Sequence, residues 1–466
     1  MPRIAVIGGG PAGSVFAARM ALLGHDVVLY ERSLFPRPHL GESLSAGVLP
    51  LLDSVGARAV VDAEGFLPVR DIRVQWDTPP YLRNDPAARG LLVDRGRFDA
   101  LLLDNARAHG VHVRQPALVR GYRSVGDCVE VDVECDGGRA LATVDFVADV
   151  RGRGGVSATR RRTGRPTIAL YAYWRTAELP RYPVIEAGAA GWFWGVPLPD
   201  GTYNTLAFLD PRAFHDRSSG GLDQRFRALL AGSSLMSECP DAQMIGKVQA
   251  IDATSYLDDA VTTNTIRLGD AALAIDPISS SGVQKAIQNA LSGAIVVNTI
   301  LRRPDAFPAA SAFYRTSLGA ASARHSDWAS GHYRTAAATR PDAFWRARAA
   351  SVDAEPAPER APIDARSLAT MRIQRSAATE FIDLPCLDAE FVAIKPALRH
   401  PRLDTPVAFV GGRAVAPLVW QLPAGLTPME IARAWSKGRP VDRTLAIVVW
   451  LIEHGVLEPQ ALSNAA

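Results

Sequence analysis

The segment from Arg3 to Glu31 constrains this chain more than any other. Arg3-Ile4-Ala5-Val6-Ile7 is a short apolar run suited to a parallel strand buried on both faces. Gly8-Gly9-Gly10-Pro11-Ala12-Gly13 follows directly, then a helical pattern through Leu23, then a second strand over Val27 to Tyr30 that ends at Glu31. Strand, glycine turn, helix, strand and acid in this order form a dinucleotide-binding unit. Gly8 permits the tight turn, Gly10 lets the backbone approach a pyrophosphate, and Gly13 lets helix and strand pack closely. The helix N-terminus then faces the phosphates with free N–H groups and its positive dipole end. Glu31 stands 18 residues after Gly13, where a carboxylate accepts from ribose hydroxyls. Pro11, Ala12 and Arg32 complete the cofactor contacts expected of this unit.

The remainder of the chain narrows which dinucleotide is bound. No second strand–G-x-G-x-x-G–helix unit is present: Gly152, Gly154 and Gly155 lead into a loop carrying Arg160, Arg161, Arg162 and Arg165. A separate nicotinamide domain is therefore not expected. At roughly 100–200 residues per domain, 466 residues allow two to four domains. A chain 48% hydrophobic and 21% charged is not disordered, collagenous or a coiled coil. A net charge of +3 provides no field to recruit nucleic acid or an acidic membrane. Cys128, Cys135, Cys239 and Cys386 have neither C-x-x-C spacing nor a nearby His, so no metal site is expected and the thiols read as reduced. The N-terminus is too short and glycine-broken for a signal segment, and the longest apolar run, Leu445 to Ile452, is far below the about 18 residues needed to span a bilayer. The expected location is cytoplasmic. Only four of the 51 basic residues are lysines: Lys247, Lys285, Lys395 and Lys437.

Three further segments, Val93-Asp94-Arg95-Gly96-Arg97-Phe98-Asp99, Asp149-Val150-Arg151-Gly152-Arg153 and Ile266-Arg267-Leu268-Gly269-Asp270-Ala271-Ala272 with Asp276-Pro277 and Ser281-Gly282, resemble the FAD-binding set of aromatic-ring flavin monooxygenases and flavin-dependent halogenases. The resemblance implies bound FAD and a Rossmann-like α/β domain with an inserted, mainly antiparallel β-sheet substrate domain. It implies that Arg95, Gly269, Asp270, Pro277, Gly282 and Val283 contact the cofactor, Asp270 through the ribityl chain. A helix from Gly282 to about Leu301 would aim its N-terminus at the flavin pyrimidine edge, where its dipole stabilises the charge of reduced flavin.

Gly41-Glu42-Ser43 resembles the halogenase loop near the flavin, with Ser43 as a cofactor contact. Trp192-Phe193-Trp194-Gly195-Val196-Pro197 resembles the halogenase Trp-x-Trp-x-Ile-Pro signature, and Trp192 and Trp194 are expected at the substrate pocket or in the sheet core. One departure is decisive. Halogenases carry an essential lysine in a Phe-x-x-Lys-x-Gly-like stretch, and no lysine lies between Glu42 and Lys247 here. Arg70 stands at or near that position, and a guanidinium that stays protonated cannot take up chlorine as a neutral amine does. The glutamate of Pro-x-Glu-Ser-Thr-Gly is also absent, with Ser279 in its place. What remains is oxygenation: the resemblance implies a flavin C4a-(hydro)peroxide that passes oxygen to an electron-rich ring, with O₂ as co-substrate and NAD(P)H as reductant, directly or through a separate flavin reductase. Candidate acid–base or wall residues are Glu42, His39 and Arg70.

Residues 351–366 read as a proline-rich linker. Before it, an Ala- and Arg-rich helical stretch carries Trp328, Tyr333, Phe344 and Trp345, expected to pack on the flavin domain. After it, a hairpin around Gly411-Gly412, a capping box at Thr427 to Glu430 and two helices ending at Gly438 and Gly455 form a winged-helix-like module. Val419-Trp420-Gln421-Leu422 and Gly455-Val456-Leu457 resemble peptide-recognition modules of the pyrroloquinoline-quinone chaperone type; a structural cap or dimerisation domain is the plainer alternative, and DNA binding a third. The expected division is an FAD domain from 1–75, 93–160 and 262–310, a substrate domain from 76–92 and 161–261, a helical extension at 311–350, and a module at 367–466. A halogenase-like frame lacking the lysine resembles the peptidyl-tryptophan hydroxylases of tryptophylquinone biogenesis. That resemblance implies a peptide or protein substrate and a radical S-adenosylmethionine partner enzyme. Hydroxylation of a free aromatic, halogenation and a non-catalytic flavin-bound assembly role are the alternatives.

Overall fold

A computed structural model describes residues 1–84, 90–135, 137–155, 157–214, 221–349 and 370–460; the linker read at 351–366 lies outside them. The chain divides into two compact units, Met1–Phe307 with Tyr314–Ala354, and Pro308–Phe313 with Glu355–Ala466.

The first unit is built on a parallel sheet in the order β20 (Thr265–Arg267), β12 (Phe146–Asp149), β1 (Arg3–Ile7), β2 (Asp26–Tyr30), β8 (His112–Arg114). Ile4, Ala5 and Val6 are fully buried because helices cover one face and a β-meander the other. Helices α1 (Pro11–Leu22), α4 (Arg95–Ala108) and α6 (Gly282–Arg302) pack together, α1 touching both others. The meander β9 (Ala117–Val125), β10 (Cys128–Cys135), β11 (Gly138–Val144) sets Val119, Val129, Val131 and Val144 against Ala5, Ile7 and Val147. Short elements complete this part: α2 (Val48–Asp53), α3 (Arg58–Ala63), a sheet of β3 (Ser43–Leu44), β7 (Leu91–Leu92) and β4 (Leu67–Pro68), and one of β13 (Arg161–Arg162), β19 (Tyr256–Leu257) and β21 (Leu273–Ala274).

The second layer is a seven-stranded sheet ordered β18 (Gln243–Asp252), β14 (Ile168–Arg175), β17 (Thr202–Leu209), β16 (Gly191–Pro197), β15 (Val184–Ala187), β5 (Asp71–Gln75), β6 (Tyr81–Asn84), antiparallel except at β15–β5. Period-two alternation divides its side chains. Leu170, Trp174, Phe193 and Tyr203 face α5 (Leu222–Ala231), which buries Phe226 and Leu230 against them. Val74, Trp76, Ala169, Trp192, Leu206 and Phe208 face the other way, against Tyr333 of α7 (Phe307–Thr339) and Phe344 and Trp345 of α8 (Ala343–Ala349).

Two expectations change here. Of the aromatics of 311–350, expected on the flavin domain, Tyr333 bonds Asp276 there, but with Phe344 and Trp345 it also closes the seven-stranded sheet, where Trp76 and Trp192 offer matching aromatic surface, and Trp328 is exposed. β5 belongs to the seven-stranded sheet although it precedes the expected boundary at 75, whereas β7 pairs with β3 and β4 rather than with that sheet. Strand pairing, which local pattern does not specify, decides both.

The second unit has a core of Ile431, Trp435, Val448, Leu451 and Val456. It contains β22 (Ile373–Arg375) paired with β27 (Leu457–Pro459), a long hairpin β23 (Glu380–Asp388)–β24 (Phe391–Arg399), a short hairpin β25 (Phe409–Val410)–β26 (Arg413–Ala414), and helices α9 (Ala416–Trp420), α10 (Pro428–Ser436) and α11 (Val441–Glu453). Both hydrogen bonds of the Thr427–Glu430 capping box form. α10 runs through Ser436, as expected, with Lys437 left-handed at φ 39° and Gly438 following at φ 84°. The long hairpin is the larger of the two and was not anticipated. Among the described residues no helix is long and apolar enough to cross a membrane, and no group of His, Cys, Asp or Glu suits a metal ion.

Candidate active site

The glycine turn after β1 is bent as its sequence requires. Gly8 has φ +111°, and a Cβ there would lie 2.6 Å from the Val150 carbonyl oxygen. A Cβ on Gly13 would lie 1.9 Å from the Gly8 carbonyl oxygen, so strand and helix approach as only glycine permits. Gly10 is different: the nearest atom to an added Cβ is Arg37 Nη2 at 3.9 Å, so the turn opens into free space there. Gly10 is also the N-cap of α1, which has Pro11 at its start, no side-chain cap and no acid in its first turn. Its N–H groups therefore still need an acceptor. Glu31 is buried, accepting from Gly9 N at 2.7 Å through Oε2 and from Ser33 N at 2.9 Å through Oε1, so it braces the loop; Arg32 is exposed.

The Gly-Asp segment arrives at the same place. Gly269, at φ +61°, would set a Cβ 2.8 Å from that of Ala12, so segments 257 residues apart in sequence meet. Its N–H donates to Asn289 Oδ1 at 2.7 Å. The Asp270 side chain is 39% exposed and pairs with Lys285 Nζ at 3.0 Å. Burial works to raise the Asp270 pKa, but Lys285, with Arg153 and Arg95, holds it below the usual carboxylate range. Pro277 begins a single turn capped by Asp276, which accepts from Ile278 N at 3.1 Å and from the Tyr333 hydroxyl. α6 then starts at Gly282 and Val283 with no side-chain cap and no acid, and a Cβ on Gly282 would meet nothing within 4 Å.

Two bare helix N-termini, two glycines that open into free space and one exposed carboxylate make a cradle for an anionic dinucleotide with a polyol chain. FAD fits this set.

The loop over the cradle is clamped from below. Arg95, buried, makes paired bonds to Asp99 at 3.0 and 3.2 Å and donates to the carbonyls of Leu40 at 2.7 Å and Gly41 at 3.4 Å. This positions Glu42, whose Oε1 accepts from Tyr173 Oη at 2.8 Å and Asn204 Nδ2 at 2.9 Å, and whose Oε2 accepts from Gly41 N at 2.9 Å. Glu42 is 5% exposed; burial raises its pKa against the lowering effect of these donors and of Arg95. Ser43, half-buried, starts β3, while His39 is exposed with Nδ1 donating to the Leu40 carbonyl. Arg70 is exposed, whereas its neighbour Val69, also in the connection between β4 and β5, packs against Leu92, Val196 and Leu198. Trp192 is core, stacked on Phe208 at 3.8 Å, and Trp194 on the same face is half-buried beside Leu40, Ile72 and Ile185.

The cradle residues, Glu42 and the tryptophans therefore share one region, while His39 and Arg70 face solvent. Sequence reading missed Tyr173, Asn204 and Lys285. The alternation of Tyr171 and Tyr173 in β14 was the available signal for the first, and the scarcity of lysine for the last. Along β21, a cavity of about 290 Å³ is lined by Asp276, Tyr333, His325, Arg348 and three serines of α7.

A cradle of this kind beside an antiparallel sheet defines a flavoprotein of mixed α/β fold. Residues 83–364 match the tryptophan halogenase family, and residues 6–41 an NAD(P)-binding Rossmann-like domain. The chain belongs to the tryptophan halogenase family, and its cofactor is FAD. A tryptophan 2-halogenase of Chondromyces crocatus is 30% identical over 67% of this chain and 64% of its own length. A flavin-dependent halogenase of Armillaria mellea is 27% identical over 65% of this chain and 66% of its own. The chain thus spans just under two thirds of these relatives. Among solved structures, the flavin-dependent halogenase CmlS superposes with TM-score 0.80 at 25% identity, covering 98% of this chain and 95% of that one. The peptidyl tryptophan dihydroxylase QhpG, essential for tryptophylquinone cofactor biogenesis, superposes at 0.77 with 27% identity, covering 97% and 99%.

Proposed function

We propose that this flavoprotein is a monooxygenase that hydroxylates an electron-rich aromatic ring, a tryptophan within a peptide or protein that is maturing into a quinone cofactor. The observation that carries the reading is the placement of its lysines. Lys285 is buried and bonded to Asp270 and the Leu273 carbonyl, Lys247 is exposed on the edge strand β18, and Lys395 pairs with Asp388 at 2.6 Å in the second unit. Lys437 ends α10 in that same unit. No lysine lies in β5, β14, β15, β16 or β17, the strands that carry Trp192, Trp194 and their neighbours, so a halogen carrier is missing from these strands where the frame is otherwise complete.

Reduced FAD with O₂ supplies an electrophilic oxygen. The chain does the rest. The α1 and α6 N-termini hold negative charge, Asp270 accepts from a polyol, and Leu40, Ile72, Ile185 and Trp194 offer the ring an apolar wall that excludes water. Glu42, held by Tyr173 and Asn204 with its pKa raised, is suited to take and return a proton at Oε1 or Oε2. Near-complete mutual coverage with QhpG supports a polypeptide substrate. So does the second unit, where exposed Trp420 packs edge-on to Phe381 at 4.9 Å with Arg375 over the ring at 5.7 Å.

Halogenation is the second reading, favoured by the names of the sequence relatives and by CmlS. One experiment separates the two. Holoenzyme with reduced flavin, O₂ and bromide is given tryptophan-containing peptides, free tryptophan and a phenol, and products are read by mass spectrometry. Addition of oxygen to a peptide without bromination is expected. Bromination of any substrate would overturn the reading, and oxygenation confined to free aromatics would retire the peptide.

A further inference from the structure

Lys285 is in an unfavourable place. It lies in the first turn of α6, where the helix dipole disfavours a cation, and it is buried to 4% exposure. Burial lowers its pKa, as does Arg153, and only the ion pair with Asp270 opposes them. The ionised Asp270 is nonetheless the same carboxylate that the cradle presents to the cofactor's polyol chain. Around that single negative charge the structure gathers Lys285, Arg153 and Arg95, besides the bare α6 N-terminus. Arg95 is neutralised by Asp99, while Arg153 donates from Nη1 to the Thr254 carbonyl at 2.7 Å and lies over the Tyr256 ring at 5.6 Å. The other two carboxyls that face these cations, Glu42 toward Arg95 and Asp276 toward Arg153, have their pKa raised by burial, which favours their neutral forms, so the balance of charge at the cradle leans positive before any ligand enters. A helix wanting only a partner for Asp270 has no use for a buried ammonium in its first turn, since a neutral donor would serve.

We propose that Lys285 is a redox-tuning residue: its buried charge, added to the α6 dipole, favours the reduced, anionic form of the bound FAD and makes the cofactor easier to reduce. Two-electron reduction with uptake of one proton leaves the ring one negative charge richer; the electrons come from an external two-electron donor, a reduced nicotinamide or reduced flavin. A positive charge held in a low-dielectric wall lowers the energy of that product and leaves the oxidised ring almost untouched. The inference rests on the FAD assignment and is independent of whether oxygen or halogen is finally transferred.

The test uses the full-length holoenzyme without substrate. Midpoint potentials are measured by slow reduction against a reference dye for wild type, Lys285→Met and Lys285→Arg, together with affinity for sulfite, which adds to flavin as an anion. Lys285→Met should retain FAD, move the midpoint to a more negative potential and weaken sulfite binding by about tenfold. Lys285→Arg should restore both toward wild type. An unchanged midpoint and sulfite affinity in Lys285→Met would overturn the proposal. So would loss of FAD from both variants with the fold intact by circular dichroism, since Lys285 would then be an anchor for Asp270 and no more. A wild-type protein that binds no FAD would instead remove the assignment beneath it.

Discussion

Gly10→Ala and Gly13→Ala should separate binding from folding. The two glycines are three residues apart, yet their surroundings are opposite. An added Cβ at Gly10 finds its nearest neighbour, a flexible guanidinium, at 3.9 Å, and the residue's φ of −67° suits alanine. The cost to the fold is that of an alanine N-cap, about 0.5–1 kcal/mol, or roughly 3 °C at most in Tm. The same methyl occupies the approach to the α1 N-terminus. Losing one charge-assisted hydrogen bond to a pyrophosphate costs about 1.5–3 kcal/mol, which weakens the FAD Kd by roughly 10- to 150-fold. At Gly13 the Cβ would sit 1.9 Å from a backbone oxygen, so the strand and helix must part by more than an ångström. That is overpacking of a rigid core, about 3 kcal/mol or more, and FAD is lost with the fold. The assay is thermal unfolding of FAD-free protein with and without added FAD, alongside flavin fluorescence for Kd. Wild type gains stability on adding FAD; Gly10→Ala should keep the FAD-free Tm and lose most of that gain. If Gly10→Ala binds FAD as wild type does, or falls in stability as far as Gly13→Ala, the cradle has been read wrongly.

Three further outcomes are expected. Glu42→Gln should retain FAD and lower turnover. Because burial holds the folded Glu42 pKa above its unfolded value, wild-type stability should fall relative to Glu42→Gln as pH rises through the unfolded and then the folded pKa, with the two equal at lower pH; Tm against pH checks this. Arg95→Met leaves Asp99 charged at 0% exposure with only Arg37, 3.7 Å away, so about 3–5 kcal/mol should be lost in denaturant unfolding. Trp420→Ser should raise KM for a peptide substrate while leaving FAD binding and the flavin midpoint potential unchanged.

Much of the FAD cradle was legible because its requirements are local. A turn that needs φ +111° at Gly8, or an approach only glycine allows at Gly13, writes itself as a residue type at a fixed spacing. The capping box at Thr427 was legible for the same reason. Glu42 was visible within its loop, but its character was not: Tyr173 and Asn204, 131 and 162 residues away, decide that it is buried and hydrogen-bonded. Arg70 shows the opposite failure. The lysine-like spacing pointed inward, but in the connection between β4 and β5 it is Val69 that packs against Leu92, Val196 and Leu198, and Arg70 is left to solvent. The hairpin Glu380–Asp388 with Phe391–Arg399 escaped notice because its burial pattern is irregular and its tight turn holds Ala389 at φ 52° in place of the expected glycine.

The sequence by itself determined that a dinucleotide sits against the first strand and helix, that the chain lacks a second such unit, and that no lysine lies between Glu42 and Lys247. These are matters of backbone conformation and of residue inventory, which neighbours in sequence are enough to settle. Only the tertiary structure decided where the remaining charges act. It brought Gly269 against Ala12, set Tyr173 and Asn204 on Glu42, and buried Lys285 beside Asp270. A side chain's electrostatic role depends on what desolvates it and what pairs with it, and in this fold those partners come from strands and helices far apart along the chain.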